Sequence, residues 1–279
     1  MTTVVCMSAA DIYYDLSADD DYTQVRNSRN FTGKVVLITG SNSGIGESVA
    51  KLFSALGAHV VITGKNEVEI KRVVQEAQKL SPTGLVPLGV AADLLKTADL
   101  EKLVSETIKT FGKLDVLVNN AGASLSTHIR DANFIEVFDT LINLNTRAGL
   151  QLIHLAVPHL EKTNGTIIST SSIWSSLPGK ASIPYGVSKV ALDFATRALA
   201  IELGPKIRVN AINPGWILTE NLKHHSTPAE LADAAAHTPL KRIGQPIDVA
   251  KGVVFLASTD AQFITGANLV TDGGIVYNS

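Results

Sequence analysis

The 279-residue sequence has little of several features that direct a chain to a particular class of protein. Its single cysteine, Cys6, excludes an internal disulfide and suits a reducing compartment. A net charge of −2 offers no basic surface for nucleic acid. No run of about 18 apolar residues is present to cross a membrane. Histidines are few and scattered, without the spacing of a metal site, so we predict none.

The N-terminal stretch MTTVVCMSAADIYYDLSADDDY is acidic and lacks both a basic start and a long apolar segment. It does not resemble a secretory or mitochondrial targeting sequence, and we therefore expect a cytoplasmic protein. Residues 1–31 are predicted to be a flexible or loosely docked extension. The alternative is an arm that binds a partner or a second subunit.

From residue 32 onward, short apolar runs alternate with segments of helical periodicity. Because the predicted strands are apolar on both faces, they indicate a parallel sheet covered by helices on both sides. No break rich in Pro, Gly or Ser divides this region. The pattern predicts a single α/β domain over residues 32–279 with about seven strands, and one long helix at about 133–159.

The segment TGSNSGIG joins the first predicted strand to the first predicted helix. Gly40 permits a tight turn, Gly44 lets the backbone approach a pyrophosphate, and Gly46 allows close packing of helix on sheet. Open amides at the start of the helix favour an anion. The alternative is a tight turn without a ligand. The dinucleotide contacts predicted in this turn are Gly40, Asn42, Ser43, Gly44, Ile45 and Gly46.

The segment PYGVSK places a phenol and an ammonium four residues apart in a predicted helix. Residues i and i+4 share a helix face, so Tyr185 and Lys189 are expected to be neighbours. An adjacent ammonium lowers the pKa of a phenol from its usual value of about 10. A phenol that titrates near neutrality can exchange a proton with an alcohol or an alkoxide. The hydroxyls of STSSIW follow a strand and are expected nearby.

Together with NNAG at 119–122, NPGWILT at 213–219 and the closing VTDGG, these motifs resemble the short-chain dehydrogenase/reductase family over residues 32–279. The resemblance implies a Rossmann-type doubly wound sheet and an NAD(P)-dependent oxidoreductase acting on CH–OH groups. It also implies a homotetramer or homodimer built on paired long helices.

By the same resemblance, Ser172 holds the substrate oxygen, with Ser171 as its rival. Tyr185 is the acid and base. Lys189 lowers the phenol pKa and binds the nicotinamide ribose. Asn145, with Asn143 as the alternative, holds a water in a proton relay.

Further cofactor contacts follow from the matched positions. Asp93 resembles the acid that binds the adenine amino group, although it could be a helix cap. Asn120 and Gly122 are placed beside the adenosine ribose, or fix the neighbouring strand. The residues expected to border the nicotinamide are Pro214, Gly215, Ile217 and Thr219.

The end of the second strand, VVITGKN, favours NADP(H) over NAD(H). An acid at position 64 would repel a 2′-phosphate, but the residue there is Gly64. Lys65 follows it, at the position where NADP-preferring family members carry a basic residue. The alternative for Lys65 is an ordinary surface lysine.

The polar, alanine-rich segment at about 216–244 is predicted to be a substrate lid. Trp174 and Trp216 are candidate pocket walls, or else fill the core or a subunit contact. No pair of basic residues is positioned for a carboxylate, so the expected substrate is a neutral carbonyl or secondary alcohol. We therefore predict an NADPH-dependent carbonyl reductase. The alternatives are an NAD-dependent alcohol or hydroxysteroid dehydrogenase, and a non-catalytic nucleotide sensor.

Overall fold

The apolar β-branched runs form one parallel sheet of seven strands in the computed structural model, which describes residues 25–277 apart from the side chain of His225. The strand order is β3-β2-β1-β4-β5-β6-β7. The order reverses beside β1, so a crevice opens at the carboxyl ends of β1 and β4. The strands are β1 (Val35–Ile38), β2 (His59–Gly64), β3 (Leu88–Ala91), β4 (Val116–Asn119), β5 (Thr166–Thr170), β6 (Arg208–Pro214) and β7 (Asn268–Thr271).

Helices connect the strands and cover both faces of the sheet. They are α1 (Gly44–Ala55), α2 (Glu67–Leu80), α3 (Thr97–Phe111), α4 (Phe134–Leu141), α5 (Ala148–Leu160), α6 (Ile183–Leu203), α7 (Glu220–His225), α8 (Pro228–His237) and α9 (Pro246–Ala257). Single 3₁₀ turns span Glu161–Thr163, Ile173–Ser175, Thr259–Ala261 and Ile275–Tyr277.

Alternate residues of β1 enter two separate hydrophobic cores. Val36 and Ile38 pack with Phe53 of α1 on one face, and Val35 and Leu37 pack into the other core. Side chains of a strand point alternately to opposite faces, so a strand between two cores must be apolar throughout. The predicted doubly wound α/β fold is confirmed.

The helix predicted at about 133–159 is interrupted. A π-helical stretch, Ile142–Arg147, separates α4 from α5. Asn145 lies in this stretch and its side chain is hydrogen-bonded to the backbone of Ala123 in both directions, at 2.8 and 2.9 Å. π-bulges occur mostly at functional sites, and this one aims a polar side chain at the carboxyl edge of the sheet.

The chain joins the domain slightly before the predicted boundary at residue 32. Phe31 is buried edge-on against Phe53, with ring centroids 4.9 Å apart. Ser28 Oγ donates a hydrogen bond to Asp260 at 2.9 Å. These contacts make residues 28–31 part of the packed domain. Residues 25–27 of the predicted extension are exposed, and residues 1–24 lie outside the described residues.

Candidate active site

The glycine-rich turn follows β1 with two residues in left-handed conformations. Gly40 has φ of 63° and Gly44 has φ of 57°, a region that side chains with a Cβ rarely adopt. A Cβ on Gly46 would collide with the carbonyl of Gly40 and lie 2.6 Å from Asn120 Nδ2. The turn therefore requires glycine for conformation at two positions and for space at the third.

The start of α1 is left open to an anion. Ser43 occupies the N-cap position but makes no side-chain capping hydrogen bond. Glu47, the acid in the first turn, is neutralised by Arg72 at 2.7 Å and by Lys51. Uncapped amides and a compensated carboxylate make this helix end suitable for a phosphate group. The turn thus fits the pyrophosphate of a nicotinamide dinucleotide.

Asn120 braces the glycine turn against β4. Its Nδ2 donates to the carbonyl of Thr39 at 2.8 Å, and the backbone N–H groups of Asn120 and Ala121 donate to Thr39 Oγ1, both at 2.9 Å. This geometry corresponds to the alternative in which Asn120 fixes the neighbouring strand. Buried Thr39 was not predicted as part of the site.

The adenosine end, after β2 and β3, carries exposed charges. Lys65 Nζ lies 3.4 Å from Asp93 Oδ1, and the Lys65 side chain is 66% exposed. Asp93 Oδ1 also accepts the Leu95 N–H at 3.2 Å, and this bond, with Lys65, holds the pKa of the carboxyl below its usual range. Asp93 therefore forms a local turn with Leu95 and does not cap the helix Thr97–Phe111, whose N-cap residue is Lys96. Asn42 lies directly against Gly64, so that any Cβ at position 64 would meet its carboxamide.

The catalytic candidates meet at the carboxyl ends of β5 and β6. Lys189 is 4% exposed and donates from Nζ to the carbonyl of Thr170 at 2.9 Å. The same Nζ lies 5.6 Å from the centroid of the Tyr185 ring, over its face. The Ser172 hydroxyl lies close enough to the phenol to lower its pKa, whereas Ser171 Oγ donates to the Lys189 carbonyl at 3.2 Å. Of the two serines, Ser172 is the one that faces Tyr185.

Burial dominates the electrostatics of this cluster. It raises the pKa of Tyr185 above its ordinary value, although the hydrogen bond with Ser172 acts in the opposite direction. Burial also lowers the pKa of Lys189 to about 8, against the opposing effect of Asp193. The lowering of the phenol pKa expected from the sequence depends on Lys189 together with a positively charged nicotinamide, and it stays a prediction. In the protein alone the ammonium is hydrogen-bonded to a carbonyl, and the half-buried phenol keeps a raised pKa.

Asn145 and Gly122 adjoin the same cluster. Asn145 Nδ2 donates to Ser188 Oγ at 3.0 Å, and Ser188 in turn donates to the Tyr185 carbonyl at 2.7 Å. A Cβ on Gly122 would lie 3.0 Å from Asn145 Oδ1 and 3.6 Å from Lys189 Nζ. Gly122 is thus placed beside the catalytic cluster. Asn143, the alternative to Asn145, is exposed.

The four residues expected beside the nicotinamide lie at and after the end of β6. Gly215 N donates to Thr271 at 3.1 Å, and Ile217 is buried and bridged to Gly244. The Thr219 methyl group lies 3.3 Å from the position of a Cβ on Gly44. Thr219 therefore connects the lid segment to the glycine turn. Pro214 is the last residue of the strand.

The predicted lid contains two short helices, α7 and α8. Thr219 and Thr227 cap them, and Thr227 forms a reciprocal capping box with Glu230. None of the residues of α8 is buried. A segment that makes few buried contacts, and whose helices are capped by its own residues, is held weakly to the body of the protein. Trp216, the first residue of the lid, is partly buried, as is Trp174.

Two further observations limit the chemistry of residues 25–277. No group of three or more His, Cys, Asp or Glu side chains is close enough to hold a metal ion within this range. No helix in the same range combines the length and apolarity needed to cross a membrane.

Sequence reasoning missed several supporting residues. The positions of Thr39, Ser41 and Ser188 inside the motifs were a signal, because a hydroxyl within a turn or helix start commonly bonds the backbone. Ser41 Oγ donates to Ile38 O at 2.7 Å and accepts from Thr63 N at 2.9 Å. Asp193, one turn beyond Lys189, is buried and was also missed.

Comparison with known proteins agrees with this geometry. The family model described as enoyl-(acyl carrier protein) reductase matches residues 40–276. The chain is 36% identical over 247 residues to tropinone reductase-like 3 of Erythroxylum coca, covering 88% of this chain and 94% of the relative. It is 38% identical over 250 residues to L-fucose dehydrogenase of Mus musculus, covering 88% and 89%.

A solved structure of 7α-hydroxysteroid dehydrogenase, complexed with NADH and 7-oxo glycochenodeoxycholic acid, superposes with a TM-score of 0.85 at 34% identity. The match covers 89% of this chain and 96% of that chain. The fold and the site thus define a nicotinamide-dependent oxidoreductase acting on CH–OH groups. The chain belongs to the short-chain dehydrogenase/reductase family.

Proposed function

We propose that the protein is an NADPH-dependent reductase of neutral carbonyl compounds that also oxidises the corresponding secondary alcohols. The observation that carries this proposal is the cluster of half-buried Tyr185 with buried Ser172 and Lys189. Because burial raises the phenol pKa, Tyr185 is protonated at neutral pH and ready to donate. Carbonyl reduction needs such a proton donor beside the developing alkoxide.

A nicotinamide held at this site would supply the hydride in reduction and accept it in oxidation. The Ser172 hydroxyl donates a hydrogen bond to the substrate oxygen and holds it beside the phenol. Tyr185 transfers its hydroxyl proton to that oxygen as negative charge develops. The Lys189 ammonium stabilises the resulting phenolate and binds the nicotinamide ribose.

Asn145 contributes by holding the loop after β4. Its side chain makes three hydrogen bonds to Ala123 and Ser188, so both of its amide hydrogens are already used. We therefore place any water-relay role of Asn145 on its backbone, within the π-helical stretch. The relay returns a proton to Tyr185 by way of Lys189.

The choice of NADP(H) rests on Gly64 and Lys65. No carboxylate lies at the end of β2 to repel a 2′-phosphate, and Lys65 is exposed beside the site. In this structure Lys65 pairs with Asp93, so a phosphate must compete for the ammonium. A single exposed contact of this kind is worth about 1 kcal/mol. Asn42, which lies against Gly64, and Ser43 are further candidates for contacts to the phosphate.

The second candidate is an NAD-dependent alcohol or hydroxysteroid dehydrogenase. The observation that favours it is the solved neighbour, a hydroxysteroid dehydrogenase complexed with NADH. Names of the other relatives refer to L-fucose and to a tropinone-type reductase, which supports a hydroxyl or carbonyl group as the common reactive centre. We assign substrate closure to the lid at 216–244 in either case.

A panel of ketones, aldehydes, steroids and sugars, assayed with NADPH and with NADH, tests the proposal. We expect turnover of at least one neutral carbonyl and a higher kcat/KM with NADPH. Higher kcat/KM with NADH would favour the second candidate. Binding of nicotinamide cofactor without turnover in either direction would favour the nucleotide sensor.

We also propose a homotetramer, or at least a homodimer, in the cytoplasm. Six apolar side chains of α4 and α6 are 42–85% exposed, an unusual density for helices of a monomer: Ile135, Ile183, Val187, Val190, Phe194 and Ile201. A second copy of the chain would cover them. Sedimentation equilibrium of the purified protein tests the assembly.

A further inference from the structure

A buried carboxylate lies behind the catalytic cluster and has no part in the chemistry above. Asp193 is 6% exposed on α6. Its Oδ2 accepts a hydrogen bond from Asn213 Nδ2 at 3.0 Å, whereas Oδ1 has no hydrogen-bond partner among residues 25–277. A buried carboxylate is costly unless a positive charge lies close to it. The position therefore calls for a compensating cation.

Lys189 is that cation. It is buried one helical turn before Asp193, and residues i and i+4 share a helix face. The only hydrogen bond of its ammonium is to the neutral carbonyl of Thr170, and it forms no direct ion pair within the described part of the chain. Asp193 raises the pKa of Lys189 against the effect of burial.

Other charged groups around α6 are poorly placed to do the same. Of the elements packed against this helix, the turn Ile173–Ser175 carries no ionisable side chain. Strand β6 carries Arg208 at its opposite end, and the π-helical stretch carries Arg147, which is exposed. The acids of α4, Glu136 and Asp139, are exposed as well.

Asp193 also reaches the serine segment through Asn213. The Asn213 Nδ2 atom lies 3.0 Å from Asp193 Oδ2, 3.1 Å from the Ser172 carbonyl and 3.0 Å from Ser175 Oγ. One amide nitrogen thus links α6, β6 and the backbone that carries Ser172. A carboxylate acceptor orients this amide more firmly than a neutral one, because charge-assisted hydrogen bonds are stronger.

We propose that Asp193 is a positioning residue, whose carboxylate is the counter-charge of the Lys189 ammonium and, through Asn213, fixes the backbone of Ser172. The inference rests on the proposed function for its kinetic part, because Lys189 and Ser172 act there. Its electrostatic part concerns only folded and unfolded states and is independent of turnover.

The first test is Asp193→Asn, which keeps the shape and the acceptor for Asn213 but removes the charge. In wild type, the kcat/KM of carbonyl reduction is expected to fall as pH rises through the Lys189 pKa of about 8. In the variant we expect this fall in kcat/KM, the alkaline limb of the profile, to occur about one pH unit lower. Removing a nearby opposite charge disfavours the ammonium. Thr196→Val, an isosteric change at a buried position one turn further along α6, should leave the limb in place.

Thermal unfolding from pH 6 to pH 9 supplies a readout without substrate. A counter-charge matters only while Lys189 is protonated. The loss of Tm in Asp193→Asn should therefore be largest near pH 6 and should shrink or reverse by pH 9. In Thr196→Val the difference from wild type should not change with pH.

A third variant covers the case in which Asp193→Asn does not fold. Adding Lys189→Met removes the uncompensated ammonium, so the double variant should fold and melt above Asp193→Asn alone at pH 7. An unmoved kinetic limb, a pH-independent loss of Tm, or a double variant no more stable than Asp193→Asn would each overturn the proposal. If wild type reduces no carbonyl, the proposed function fails, and the Tm measurements still decide the role of Asp193.

Discussion

The two ends of the site are constructed differently. At the catalytic end, Lys189, Asn145 and Ser172 are nearly inaccessible, and each is hydrogen-bonded to the protein itself. At the adenosine end, Lys65 is largely exposed and Gly64 has no side chain. The proposed catalytic end is therefore held by the protein's own hydrogen bonds, whereas the proposed adenosine end presents an exposed charge.

This difference indicates where substitutions act. A change in the buried network leaves polar groups without partners, at a cost of about 1–3 kcal/mol each. A change among the exposed charges is screened by water and alters mainly the preference for one cofactor. The chemistry and the cofactor preference should therefore be separable by mutation.

The largest effect is expected for Tyr185→Phe. Removing the hydroxyl eliminates the proton donor but preserves the ring beneath Lys189. The kcat should fall about 10²–10⁴-fold, while the Kd for NADPH changes only a few-fold. Steady-state kinetics and fluorescence titration measure the two. Retention of more than about a tenth of the wild-type kcat would remove Tyr185 from its assigned role.

The second prediction concerns Gly64→Asp. A Cβ at this position meets the Asn42 side chain, so the single variant must first displace Asn42. In the double variant with Asn42→Ala, the carboxylate should repel a 2′-phosphate by about 2–3 kcal/mol. The ratio of kcat/KM with NADPH to kcat/KM with NADH should then fall roughly a hundredfold. Asn42→Ala alone is the control. A double variant with the wild-type ratio would place the phosphate elsewhere.

The third prediction is a pH profile of the unmodified enzyme. Because the Lys189 pKa is lowered to about 8, reduction should decline about tenfold per unit at higher pH. The stability of the protein should change with pH in the opposite direction. Between about 8 and the usual lysine pKa of about 10.4, the unfolded state binds more protons, so the Lys189 contribution to the free energy of unfolding rises with pH.

Lys189→Met should abolish this contribution, as measured by chemical denaturation from pH 7.5 to 9.5. The comparison uses the difference between the two proteins, so that other lysines cancel. An identical pH dependence of stability in both would contradict a lowered pKa for Lys189.

The smallest effect is expected for Lys65→Ala. This exposed ammonium shares its charge with Asp93, so its loss should weaken NADPH about tenfold or less and leave NADH almost unchanged. Affinities at 50 and 500 mM salt measure the effect, which should diminish at high salt. Equal weakening of both cofactors would show that Lys65 does not distinguish them.

Local patterns predicted most of the fold. The alternation of strands and helices and the seven-stranded parallel sheet are as expected. Strand β3 begins at Leu88, directly after Pro87, which has no N–H for the ladder. The helices within the lid were not predicted, although the Thr227-x-x-Glu230 spacing is itself the signature of a capping box.

The site was predictable only where residues are close in sequence. Tyr185 and Lys189 could be paired by helix geometry. The brace between Asn120 and Thr39 joins residues 81 apart, and the bond between Asn213 and Asp193 spans 20. Such contacts depend on the packing of separate elements. The effect of burial on the Tyr185 pKa was not foreseen for the same reason, since burial is a property of the folded molecule.

The capping box of α8 has a consequence for how the site closes. In the closure proposed above, α8 would move as a preformed helix, because it caps its own first turn and has no buried residue. The backbone entropy of its ten residues, about 1–2 kcal/mol each, is already spent before a substrate arrives. A substrate would then gain contact with this helix without having to order a loop.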